Sequence, residues 1–327
     1  CVTLIALLGR CTSTSVTEKY QDKRNDIINV KDKVIEFETG NVLIGSVSRL
    51  YMSNKCLLIA DHKSVDKQIH IFNKNDFSYL TSIGNFGEGP EEITVMGCLA
   101  IDEAHHQLYV SDHAKQKIFS YDMDSVMVDS LYKPQVKTAM NETLFPSEYQ
   151  YINDTLSIAV LIKPTSTSTF NQFLGRWNMN TGEMIPMKYT HPDIQKKRIT
   201  FAASEKAGIY VECYTRHDLM TICSLDGELL YNIYGPDWDG GNGNKLQSFG
   251  TVMIGNDKIF VSYCGEDYAR DSFPTKILVF DLEGNYLKTL ETGYKISDCC
   301  YDSFNNRIIL SLNDVVQFAY LDIDGII

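Results

Sequence analysis

The nine cysteines of this chain (1, 11, 56, 98, 213, 223, 264, 299 and 300) include no C-x-x-C pair and no paired metal-ligand spacing. That excludes a structural zinc site built from local motifs. No G-x-S-x-G, H-E-x-x-H, Walker-type loop or kinase signature occurs, so nucleophilic and phosphoryl-transfer chemistry has no motif to rest on. Long apolar runs are missing as well. Val2 to Leu8 falls far short of the roughly 20 residues a spanning helix requires. Basic residues are in deficit, 30 Lys and Arg against 42 Asp and Glu, giving a net charge of -12. A polyanion would be repelled by that field, so nucleic acid is not an expected partner. The densest basic run, Lys196, Lys197 and Arg198, reads as a solvated turn. Helical periodicity is nearly absent.

What is present suffices for a folded core. The chain has 327 residues, 44% hydrophobic and 22% charged, an ordinary globular composition. Most cysteines sit in apolar runs, such as Gly97-Cys98-Leu99, and are expected to be buried thiols. Cys213 and Cys223 could face each other if their segments form one hairpin, which would allow a single disulfide in an oxidising compartment.

The N-terminus reads as an address. Val2 to Leu8, Gly9-Arg10-Cys11 and the stretch Thr12 to Ser15 have the order of a signal's apolar region and cleavage end, and the run is expected to begin inside that signal. It resembles a bacterial lipobox with Cys11 as acceptor, Arg10 standing where that pattern has Gly, Ala or Ser. The resemblance implies an exported protein, periplasmic or at the outer membrane, touching the membrane through a lipid on Cys11 only. Residues 12–32 are polar and charged and are expected to form a tether, leaving residues 33–327 as the folded domain.

A pattern of about fifty residues recurs six times through that domain. An apolar strand ends at Asp61, Asp112, Leu161, Cys213, Tyr263 and Leu312, at spacings of 51, 49, 52, 50 and 49. A second strand follows each and closes on an apolar residue and then Asp or Asn, as in Phe72-Asn73 and Phe280-Asp281. Glycines follow at 182, 227, 284 and 325, where a hairpin turn demands positive φ. With a strand before and a strand after, each unit is a four-stranded antiparallel meander. The fold class is therefore all-β, a six-bladed β-propeller. Such a ring must close, because an open fan would expose its end edges. The last unit is short, so residues 33–43 are expected to complete it.

Ile83-Gly84-Asn85-Phe86-Gly87-Glu88-Gly89-Pro90-Glu91-Glu92-Ile93 resembles the glycine-rich G-x-x-G-x-G-P-x-E junction of NHL repeats, within the NHL/TolB-like superfamily. The same junction occurs in six-bladed propeller lipoproteins of Gram-negative bacteria. The motif covers one junction, whereas the strand period extends from about residue 44 to the end.

A propeller offers its loop face and central channel for binding. The loops after the six recurring strands give Asp61-His62-Lys63, Asp112-His113 and Arg216-His217, placing neutral imidazoles on one rim. Trp238 lies in the junction Gly235 to Asn244, flanked by Asp237 and Asp239, and could stack a sugar or aromatic group. Asp237 and Asp239 also imitate the opening of a calcium loop without its remaining ligands, so no cofactor is expected, calcium or another divalent ion being the one candidate. Arg49, Glu148 and Asp298 fall on inner strands as channel candidates, Arg49 being expected to pair with Asp298.

The functional expectation is a non-catalytic binding propeller, monomeric, whose unidentified partner is a small ligand, a glycan, a peptide or a protein. One alternative is a metal-dependent lactonase- or lyase-like enzyme using His62, His113, Glu148 and Asp298; another is a protein-interaction platform.

Overall fold

The recurring strand of each unit is apolar at nearly every position, the pattern of a strand covered on both faces. In the computed structural model, which describes residues 17–327 apart from 130, 167, 244, 245 and 271, these strands lie second from the axis in six radial sheets. Blade 1 comprises Ser48–Met52, Cys56–Asp61, Lys67–Asn73 and Tyr79–Asn85; blade 2, Met96–Asp102, Gln107–Asp112, Lys117–Asp122 and Gln135–Ala139. Blade 3 comprises Phe145–Asn153, Leu156–Pro164, Phe170–Trp177 and Met184–Pro186; blade 4, Ile199–Ser204, Ile209–Tyr214, Leu219–Ser224 and Leu229–Tyr234. Blade 5 comprises Leu246–Gly255, Lys258–Asp267, Lys276–Asp281 and Tyr286–Glu291. Blade 6 takes Ile296–Asp302, Arg307–Leu312 and Phe318–Asp322 from the C-terminal end, and Val34–Glu36 as its fourth strand. The expected closure is therefore made, Val34 to Glu36 pairing antiparallel with Leu321 to Ala319.

Alternation across each blade sends successive side chains into two different interfaces. On the second strand of blade 1, Leu57 and Ile59 join the cluster shared with blade 6, while Leu58 and Ala60 join the one shared with blade 2. Six apolar clusters result, one per interface. Burying each such Leu or Ile is worth about 1.5–3 kcal/mol, so the ring is held by its interfaces. Gly182, Gly227, Gly284 and Gly325 all adopt positive φ, as the turn reading required.

The same alternation corrects the disulfide expectation. Cys213 stands opposite Met220 and Cys223 opposite Tyr210, an odd offset that puts the two sulfurs on opposite faces of blade 4. Cys213 packs toward blade 5 and Cys223 toward blade 3, and both are free thiols.

The tether expectation is corrected from residue 17 onward. Glu18–Tyr20 adds a fifth, parallel strand to blade 4, and Ile27–Asn29 does the same on blade 5. Polar composition did not preclude this, because an edge strand offers main-chain hydrogen bonds that need no apolar side chain. Specific polar contacts fix the strap. Glu18 accepts hydrogen bonds from the Tyr234 hydroxyl and Asn232 Nδ2, and Tyr20 stacks on Tyr234 at 4.5 Å. Arg24 buries its guanidinium 2.8 Å from Asp218, beside the rings of Phe249, Tyr263 and Phe280. Cys11 and the signal-like run lie outside the described residues.

Candidate ligand-binding channel

Meander topology puts the loops between second and third strands and the junctions between blades at the same end of the ring. The recurring Asp-His dipeptide builds that end. Asp61 accepts from the backbone N–H groups of Gly45 and Lys63; Asp112 accepts from Thr94, Val95, Ala114 and Lys115. The next residue donates its own N–H to the segment entering the inner strand, His62 to Val47 and His113 to Val95. The aspartates are thus loop staples, in keeping with the turn chemistry of Asp. Each imidazole leans over the following blade, His62 Nδ1 lying 3.3 Å from the Met96 carbonyl and the His113 ring 6.1 Å from that of Phe145. Burial lowers the pKa of both, and Arg49 lowers His62 further, so both are neutral at pH 7. The Nε2 atom of each is buried with no protein partner.

The glycine-rich junction has a concrete structural role. Glu92 accepts a hydrogen bond from the Gly89 N–H, and a Cβ on Gly87 would fall 2.0 Å from the Glu92 carboxylate. The loop so formed turns the carbonyls of Gly87, Gly89 and Glu92 onto Lys115 Nζ at 3.3, 2.5 and 2.6 Å. It locks blade 1 to blade 2 at the rim.

Inside the rim, the first strands of all six blades line an axial channel of about 1690 Å³. Arg49 and Glu148 meet in it at 2.8 Å, roughly half of each side chain remaining exposed. Asp298 is fully engaged elsewhere, accepting from the Leu50 N–H at 2.8 Å and the Thr251 hydroxyl at 2.7 Å. Arg49 therefore pairs with Glu148 and not with Asp298 as expected, because two short neutral donors already satisfy that carboxylate. Burial raises the Asp298 pKa against the pull of those donors and of Arg49. Tyr149 and Gln68 also face this space, with the Tyr149 hydroxyl and Gln68 Oε1 buried and unpartnered.

The second group of expected residues lies apart from the channel. Arg216 packs on the Tyr268 ring at 3.0 Å, and His217 is buried, 3.6 Å from Asp239. Trp238 is half-buried in a cage made by His191, His217 and Tyr234, at centroid distances of 5.7, 5.9 and 5.0 Å. These contacts are edge-on or tilted, and the ring remains half-exposed. Asp237 donates its N–H to Asp218 and lies within 3.4 Å of the Tyr263 hydroxyl.

His62, His113, Glu148 and Asp298 share the channel, yet no three of them bring ligand atoms within 4.8 Å of one another. Among the described residues the one His/Cys/Asp/Glu group that does so is Asp102, His105 and Asp154. It lies at the opposite end, where first strands turn into second strands. There Asp102 accepts from His105 Nδ1 at 2.8 Å and from the Tyr109 hydroxyl at 3.2 Å. Sequence reasoning passed over this group because its members are 52 residues apart at the extremes. It also passed over an apolar patch on one side of the channel mouth, where Val47, Val65, Phe86 and Val95 of the blade 1 and blade 2 rim are exposed. Single apolar residues in separate loops carry no sequence pattern.

Residues 12–172 match the model of a family described as DUF5128, 6-bladed beta-propeller. No curated protein matches the chain in sequence. Among solved structures, a Bacteroides fragilis NCTC 9343 protein named "Putative exported protein" superposes with a TM-score of 0.58 at 14% identity, over 90% of this chain and 87% of its own. A DUF4221 family member from Bacteroides vulgatus ATCC 8482 gives 0.57 at 11% identity, over 92% and 98%. A luciferin-regenerating enzyme gives 0.56 at 8% identity, over 88% and 94%. At these identities the likeness is one of fold. The chain is an all-β six-bladed propeller, similar over residues 12–172 to the DUF5128 family.

Proposed function

We propose that this protein is an exported, non-catalytic propeller that binds a peptide segment at the mouth of its channel. The observation that carries the reading is the exposed apolar patch of Val47, Val65, Phe86 and Val95, on the blade 1 and blade 2 side of a throat holding Arg49, Glu148, His62 and His113. An apolar patch beside a few convergent polar groups is the usual make-up of a binding site on a rigid scaffold. A peptide fits it better than a glycan, because Trp238, the aromatic a sugar would stack on, lies apart from the channel. Export is supported by the signal-like run ending at Cys11 and by the naming of one structural neighbour as exported. A lipid on Cys11 would make that export membrane-tethered.

The test is capture from a library of immobilised octapeptides by the purified wild-type protein and by a Phe86→Asp, Val95→Asp variant. Sequence-selective capture that the variant loses at least tenfold supports the reading. Capture that the variant retains, or none, overturns it. Turnover of lactones or peptides, abolished by chelation, would establish the enzyme alternative.

A further inference from the structure

The channel is electrically unlike the rest of the molecule. The chain carries 30 basic and 42 acidic side chains, but the described channel walls carry four charges, those of Arg49, Lys63, Glu148 and Asp298. Asp298 is turned inward onto Leu50 N and the Thr251 hydroxyl, so its oxygens are occupied. Burial also favours its neutral form. What faces the lumen is therefore two cations against one available carboxylate, inside a protein whose net charge is -12. A negative group repelled by the outer surface meets less repulsion in the throat, where Arg49 and Lys63 balance the two carboxylates.

The geometry at Arg49 is open on one side. Its NH2 nitrogen touches Glu148 Oε1, and among the described residues the guanidinium makes no other hydrogen bond. Five N–H donors in a planar fork leave most of the group unused, while about half of the side chain is accessible from the lumen. Such a fork is suited to a second carboxylate bound through two parallel bonds. Its present partner is weakly held, because solvent screens a half-exposed ion pair and holding two long side chains together costs their entropy.

Building on the peptide reading, we infer that the bound segment presents a carboxylate, its C-terminus or an Asp or Glu side chain, to Arg49, with Glu148 as the competitor it displaces. The apolar patch of Val47, Val65, Phe86 and Val95 takes the flanking apolar residues. Lys63 at the rim draws the acidic group toward the opening.

The probes are octapeptides made in matched sets: free or amidated C-terminus, and Asp or Glu against Asn or Gln. For the wild-type protein at low salt, capping the contacting carboxylate as its amide should weaken binding at least tenfold. The Arg49→Gln variant should bind carboxylate and amide forms alike. Glu148→Gln should bind the carboxylate form several-fold more tightly than wild type, since the competitor is gone while its shape is kept. The inference is overturned if the capped and uncapped peptides bind wild type equally, or if Glu148→Gln weakens the carboxylate form. In the first of those outcomes selective capture persists and the peptide reading stands; if no peptide of any set is captured, that reading falls too. Capping and Glu148→Gln decide the matter even if Arg49→Gln fails to fold.

Discussion

Arg49 on the inner strand of blade 1 reaches Glu148 on the inner strand of blade 3, 2.8 Å away, across the blade between them. The two residues are 99 positions apart, and two repeats separate their strands. The contact exists because six inner strands converge on one axis, where residues of non-adjacent blades come within reach. It places one opposed charge pair at the throat of an otherwise nearly uncharged channel.

The N-terminal strap should behave as part of the folded unit. Arg24 and Asp218 are both buried and 2.8 Å apart, so Arg24→Ala leaves a carboxylate uncompensated in the interior. The expected loss is about 3–5 kcal/mol in urea unfolding. Adding Asp218→Asn should recover part of it. A single variant with unchanged midpoint would mean that the strap is only loosely applied.

Acidification should destabilise the protein through its histidines. Burial lowers the pKa of His62, His70, His113, His191 and His217 from 6.5. The unfolded chain then binds more protons than the folded one as pH falls through about 6.5 and below. Stability from these groups is complete above that value and is lost progressively beneath it. The exposed His105 shifts the opposite way, raised by its bond to Asp102. Urea midpoints at about pH 7.5 and pH 5.5 check the sign, the lower midpoint being expected at the lower pH.

Trp238→Ala should act on stability and leave the channel alone. The ring is half-buried among His191, His217 and Tyr234, so its removal opens a cavity between the junction and blade 4. A cost of about 2–4 kcal/mol is expected. Peptide capture measured below the shifted melting temperature should be unchanged. Selective loss of capture with an unaltered midpoint would instead put the ligand at Trp238.

The seven described cysteines, at 56, 98, 213, 223, 264, 299 and 300, are buried and free. Burial holds the thiols of Cys98 and Cys223 up at about 12, far from the thiolate form that reacts. In native protein these seven should resist alkylation by iodoacetamide at pH 8, and all seven should label in urea without reductant. A residue that labels only after reduction would reveal a disulfide.

The fold was legible because its cause is local and repeated. Apolar second strands, Asp or Asn after the third, and glycines at 182, 227, 284 and 325 each report a nearby steric or burial requirement, and they recur at one spacing. The closing strand could be found by elimination, since a short last unit leaves one place to fill. The strap could not, because Glu18–Tyr20 and Ile27–Asn29 bond through their main chain, and a main chain looks alike in any sequence. His62 and His113 were visible as a recurring dipeptide, but their aspartates proved to be loop staples.

The sequence by itself determined six antiparallel meanders, their order and an acidic, zinc-motif-free surface, because strand periodicity, turn stereochemistry and net charge belong to neighbouring residues or to simple sums. Only the tertiary structure decided that Arg49 meets Glu148 and not Asp298, that Trp238 packs among His191, His217 and Tyr234, and that four isolated apolar side chains share one side of the channel mouth. The channel contacts join residues 99 and 248 positions apart, Arg49 with Glu148 and Leu50 with Asp298. Ring closure about a common axis sets them, and no local preference encodes which side chains that axis brings together.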